Sequence, residues 1–118
     1  MRFIFAFLGA ALIAGIAAGQ TGNGNATNGK RLFVRDGCWE CHGYAGQGSR
    51  DGARIANTAL NAQGLIRYVR KPTGAMPAFT DKVITDQELT DVWAYLKSMP
   101  PAKAVKDIPL LNEIKQSK

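Results

Sequence analysis

Residues 37–43 read GCWECHG, and this stretch contains both cysteines of the 118-residue chain, Cys38 and Cys41, together with its only histidine, His42. Such a cluster admits a small set of chemistries. A disulfide across two intervening residues closes so short a loop that it constrains little of the unfolded chain. A structural zinc site needs four ligands, and the stretch offers three with no further Cys or His elsewhere. A thiol redox pair needs one cysteine of lowered pKa, usually at a helix N-terminus in a βαβ framework. C-x-x-C-H is also the attachment signature of c-type haem, in which two thiols add across the two vinyl groups and the next residue offers an imidazole to the iron. The haem reading accounts for every member of the cluster; the thiol pair remains its alternative.

The flanking segments are helical in pattern. NGKRLFVRDG (28–37) reads as a short helix with Asn28 able to cap it, Leu32 and Phe33 on an apolar face, and Gly37 as its stop. The glycine-rich loop GYAGQGSRDG (43–52) does not fit GxGxxG and follows no strand, which argues against phosphate binding. ALNAQGLIRYVRKP (59–72) has Leu65, Ile66 and Val69 at helical spacing and stops at Pro72. The last clear helix begins with a T-x-x-E capping box, Thr85 and Glu88, ahead of Leu89, Val92, Trp93 and Leu96, and ends before Pro100 and Pro101. No run alternates as a strand does, so the fold class is all-α, with three to five short helices.

The chain opens with MRFIFAFLGAALIAGIAAGQ, in which Arg2, the apolar run from Phe3 to Ala18 and the small residues before Gln20 form the parts of a secretory signal peptide. That run of 16 residues falls short of the roughly 18–20 that span a bilayer. The expected division is a leader over 1–19, cleaved near Gly19 or Gln20, a polar linker over 20–27, the domain over 28–100, and an extended tail over 101–118. The expected location is the periplasm or another exported compartment, with no stable membrane span after cleavage. The tail is too short and polar for a core, although Leu110 and Leu111 could dock on a partner.

The formal net charge is +6. Eight basic residues against three acidic ones lie between Lys30 and Lys71, around the Cys/His cluster. A basic face of this kind steers association with an acidic protein partner. Nucleic acid is excluded as a partner by export and by the absence of a recognition motif. No paired carboxylates and no nucleophile–base pair point to an enzyme.

An iron held by His42 needs a second strong ligand for electron transfer, and methionine in that position raises the potential. Met99 ends a helix, where methionine usually packs. Met76 lies in GAMPAF, in a loop stiffened by Pro77, which suits a sulfur facing iron. The lack of a second histidine argues against an open, ligand-binding position.

The CWECH motif, the MPAF loop, the G-x-x-x-F pattern of Gly29 and Phe33, and the final helix ending VWAYLKSMP together resemble a class I c-type cytochrome, a small exported bacterial monohaem protein, over residues 28–99. The resemblance implies haem c attached through Cys38 and Cys41, axial ligands His42 and Met76, and close crossing of the first and last helices, Gly29 and Phe33 against Val92, Trp93 and Tyr95. It implies a backbone carbonyl hydrogen-bonded to the axial imidazole. The family's G-P-x-L is replaced here by Gly52-Ala53-Arg54-Ile55, so the carbonyl falls to Ala53. Arg54 and Tyr68 are candidates for the haem propionates, and Ile55, Leu65, Val69 and Phe79 for apolar packing against the macrocycle. Trp39 would pack, cover a haem edge or join a docking surface. Asn25-Ala26-Thr27 has the form of a glycosylation sequon, coincidental in a bacterial export. The resulting expectation is a single-electron carrier for redox protein partners; the competing ones are a haem subunit held permanently in a dehydrogenase or oxidase complex and a thiol–disulfide protein.

Overall fold

A computed structural model describes residues 24–116. The expected leader and the first residues of the linker lie outside the described residues. Five helices follow one another: α1 (Ala26–Arg35), α2 (Cys38–His42), α3 (Ala62–Arg70), α4 (Asp86–Ser98) and α5 (Pro109–Gln116), with a 3-10 turn at Val105–Asp107. Among the described residues there is no strand, and the domain is all-α.

Helix α1 starts earlier than expected. Asn25, not Asn28, is the N-cap: its side chain accepts from the Asn28 N–H at 3.0 Å. The helix therefore reaches into the segment expected to be linker, and Asn25 serves a structural end within the sequon. Asn28 is freed for another task, donating from Nδ2 to Asp91 Oδ2 at 2.7 Å, while the Asn25 N–H donates to Asp91 Oδ1 at 2.8 Å. Asp91 is buried on α4, and these bonds satisfy both its oxygens while fastening the start of α1. Gly37, in the left-handed region at φ 74°, turns the chain out of α1 and directly into α2.

Helix α1 crosses α4, α4 also receives α3, and the core forms where the three meet. Leu32 and Phe33 from α1, Leu65, Ile66 and Val69 from α3, Ile84, and Leu89, Val92, Tyr95 and Leu96 from α4 make one buried cluster. The Phe33 and Tyr95 rings pack at 5.5 Å between centroids, tilted by 58°. The 3.6-residue period of the sequence thus lands on the buried faces of α3 and α4.

The capping box forms as the sequence indicates. The Glu88 N–H donates to Thr85 Oγ1, and Glu88 Oε2 accepts from the Thr85 N–H at 2.9 Å. The other carboxylate oxygen accepts from Arg35 Nη1 at 2.9 Å, which ties the end of α1 to the start of α4. The Thr85 amide and the Arg35 guanidinium hold the Glu88 carboxyl below its ordinary value. A folded value below the unfolded one, about 4.3, gives stability that is complete above that pH and lost as pH falls through the folded value. Thermal melts followed by circular dichroism should show the midpoint dropping below about pH 4.3, with part of that fall missing in Glu88→Gln.

The segment expected as an extended tail is a correction. It carries the 3-10 turn and α5, whose apolar residues Leu110, Leu111 and Ile114 recur at helical spacing, and among the described elements α5 packs against that turn alone. Leu110 is 65% exposed, so the segment adds nothing to the core, as its composition indicates.

Candidate haem-attachment site

The site is built on α2. Its last carbonyls have no helical partner, and the glycine-rich loop that follows supplies two. The Gly48 N–H donates to the His42 carbonyl at 2.8 Å, and Ser49 Oγ donates to the Cys41 carbonyl at 2.6 Å. The loop passes so close at Gly52 that a Cβ there would stand 2.6 Å from the Cys41 carbonyl oxygen. This folding-back brings Ala53 under the imidazole, with His42 Nδ1 2.7 Å from the Ala53 carbonyl oxygen. A carbonyl only accepts, so Nδ1 must be the protonated nitrogen. Nε2 then carries the lone pair and has no hydrogen-bond partner among the described residues.

A cleft of about 1300 Å³ opens beside α2. Cys38, Cys41 and His42 line it from α2, Ala53 and Ile55 from the returning loop, Leu65, Tyr68 and Val69 from α3, and Met76 and Phe79 from the loop after α3. Phe33, Ile84, Leu89, Val92 and Leu96 extend the apolar lining, with Leu60 and Val83 also on it. The volume exceeds the roughly 300–1,000 Å³ of an ordinary small-molecule pocket. Two thiols, an imidazole with a fixed tautomer and a thioether on one apolar cleft form a donor set that fits a covalently attached haem.

The expected site residues therefore converge, with one exception. Arg54 is absent from the cleft lining, and its Nη2 donates to the Pro100 carbonyl at 2.8 Å. The segment is non-helical; Ala53 and Ile55 face the cleft, and Arg54 between them turns the other way. Tyr68 lines the cleft with its hydroxyl 3.0 Å from Thr73 Oγ1. Trp39 is half-buried and stacks on Tyr44, with centroids 4.4 Å apart and an interplanar angle of 13°. The polar members Arg50, Asp51, Thr58 and Thr73 also line the cleft. No spacing rule marks them, because they come from irregular loops.

The thiol-pair alternative meets an electrostatic objection. Burial, helped by the nearby Asp36 carboxylate, pushes the Cys38 thiol up to about 11. Cys38, at the start of α2, is therefore not the lowered thiol that such a pair needs.

Residues 24–96 match the protein family described as cytochrome c oxidase, cbb3-type, subunit III. No curated protein and no solved structure matches the chain.

Proposed function

We propose a function from the premise that the chain belongs to the cbb3-type cytochrome c oxidase subunit III family and holds a class I monohaem c-type cytochrome domain. Such a domain attaches haem through its CxxCH motif and serves haem-based electron transfer with redox partners. Our finer reading is a single-electron carrier with His42 and Met76 as axial ligands, working outside the cytoplasm. The observation that carries it is the convergence of Cys38, Cys41, His42 and Met76 on one apolar cleft.

When bound, the haem supplies reversible one-electron exchange between ferrous and ferric iron. Cys38 and Cys41 would hold the macrocycle as thioethers. His42, oriented through Nδ1 by the Ala53 carbonyl, offers Nε2 to the iron. Met76 offers a thioether that favours the ferrous state and raises the potential. Leu65, Val69, Phe79 and Ile55 exclude water, and Tyr68 with Thr73 lies at a polar part of the lining suited to a propionate.

The proposed partner face is acidic, but the cations available to it are fewer than the sequence count. Arg35 is bound to Asp36 and Glu88, and Arg70 to Asp86. Lys30, Arg31, Arg54, Arg67 and Lys71 are exposed without an ion pair among the described residues and offer the steering charge.

The second reading, a permanently bound haem subunit, is favoured by the family's description. The exposed apolar side chains Leu60, Tyr68 and Val83 belong to the cleft itself, whereas Leu110, Leu111 and Ile114 of α5 are exposed away from it and are the side chains such a subunit would bury.

The test is a pair of oxidised and reduced spectra from full-length protein made in a host that attaches c-type haem. The wild type should give a covalent-haem spectrum with the weak far-red absorption of a thioether–ferric iron bond. Met76→Ala should keep the covalent haem, lose that band and lower the potential. Survival of the band in the variant would remove Met76 from the iron.

A further inference from the structure

Helix α3 ends at Arg70, and the chain then runs through eight residues, 71–78, that contain Met76. Phe79 returns the chain to the place it left. Its N–H donates to the Val69 carbonyl at 3.1 Å, and its carbonyl accepts from Arg70 Nη1 at 2.9 Å. Both polar groups of Phe79 are therefore fastened to the last residues of α3. The same guanidinium reaches further: Nη2 donates to the Ile84 carbonyl at 2.8 Å and to Asp86 Oδ1 at 2.6 Å. One side chain thus joins the end of α3, the far end of the methionine loop and the approach to α4.

Inside the loop there is little else to hold it. Tyr68 and Thr73 bond across its first half, whereas residues 74–78 make no hydrogen bond among the described residues. A Cβ at Gly74 would meet nothing within 4 Å. The position of Met76 is therefore set by two anchors, Tyr68–Thr73 before it and Arg70–Phe79 after it, with partial packing of its own side chain on the core. The two anchors lie equally close to Met76 in sequence, three residues to either side, and the second is the more sheltered: the Arg70 side chain is 23% exposed, and its bonds to Phe79 and Ile84 are partly buried. Asp86 is 68% exposed, so screening leaves its ion pair weak. The holding is done by charge-assisted bonds to two backbone carbonyls.

We propose that Arg70 is a positioning residue for Met76: its fork closes the base of the methionine loop and keeps the sulfur against the iron. This rests on Met76 being the sixth ligand. The planar guanidinium is what the geometry requires, because it reaches two carbonyls and a carboxylate from a fixed frame. A lysine at the same position keeps the charge but not the fork.

The experiment is an imidazole titration of the ferric holoprotein, full chain, following loss of the far-red methionine band. Displacement of Met76 by imidazole competes with loop closure, so a loosened loop raises the apparent affinity. Arg70→Met is expected to bind imidazole roughly tenfold more tightly than the wild type, with Arg70→Lys between them and Asp86→Asn close to wild type. Asn61→Ala, which loses the side-chain cap at the start of α3, the end remote from the loop, and leaves the α1–α4 crossing untouched, is the control for general destabilisation. It should lower the melting temperature without changing imidazole affinity. Equal affinities in Arg70→Met and wild type overturn the proposal, as does an equal rise in the control. Should Arg70→Met fail to fold, Arg70→Lys decides: affinity equal to wild type overturns the proposal and tighter binding supports it. A wild type that lacks the methionine band overturns the ligand reading and this proposal with it, an outcome distinct from a normal band unaffected by Arg70.

Discussion

A chain carrying Cys38→Ala and Cys41→Ala should retain no haem through denaturation and should lose at least about 4 kcal/mol of stability, roughly 16–32 °C in melting temperature. The reason lies in what the core is made of. Seven of its ten buried residues, Phe33, Leu65, Val69, Ile84, Leu89, Val92 and Leu96, also line the cleft. The side chains that stabilise the helices are the ones that line the cleft where the macrocycle would sit, and a domain this small has little other apolar area to bury. A ligand that binds only the folded chain stabilises it by mass action, by about 4 kcal/mol at a thousand times its dissociation constant. Covalent attachment holds the effective concentration high irrespective of dilution. On the proposed ligation, only His42, Met76 and packing would hold the haem without the thioethers, and occupancy would follow the free haem supply. The check is a haem stain on a denaturing gel beside a thermal melt. The single variants should keep one thioether and stain, and Met76→Ala should stain as the wild type does. A double variant that stains, or that melts within a few degrees of the wild type, would sink the reading of the motif.

Local sequence signals located most of this architecture. The Thr85–Glu88 box sets the start of α4 because capping is a contact between residues three apart, and spacing alone reveals it. The five-residue C-x-x-C-H run is equally local, and helical periodicity identified Leu65, Ile66 and Val69 as a buried face. The readings that differ concern choices between near-equivalent residues or contacts across the fold. Asn25 and Asn28 both suit an N-cap, and the choice depends on Asp91, 63 residues beyond Asn28, which draws Asn28 Nδ2 toward α4. Arg54 has the charge for a propionate, yet the alternation of its segment turns it to Pro100. The Arg70 fork was invisible because its main acceptors are backbone carbonyls, and any residue type supplies those. Trp39 stacks on Tyr44 only because Gly43 turns the chain back after α2.

Gly29→Ala should reverse the sign that helix propensity predicts. Glycine inside a helix costs about 0.8–1.0 kcal/mol relative to alanine, and Gly29 lies within α1, so propensity alone makes the substitution stabilising. The crossing opposes it. A Cβ on Gly29 would collide with the Asp91 carbonyl and crowd the Val92 nitrogen, and both are backbone atoms of α4 that no side-chain rotation can move. The helices must separate or slide, and overpacking of this kind costs about 1–3 kcal/mol or more. We expect a net loss of about 2 kcal/mol for alanine, roughly 8–16 °C, and failure to fold for Gly29→Leu. Gly74→Ala separates crowding from backbone strain: Gly74 has φ 71° but open space around its would-be Cβ, so only the left-handed penalty of about 1–2 kcal/mol applies. The crossing also fixes function. Gly29 and the attachment motif share one continuous run of chain through α1 and Gly37, while α4 forms part of the cleft opposite. Separation of α1 from α4 therefore widens the cleft as it weakens the core, and the far-red methionine band should fade in Gly29→Ala while haem stain persists. A variant more stable than the wild type, with its band intact, would show that the two helices do not meet at Gly29 in solution.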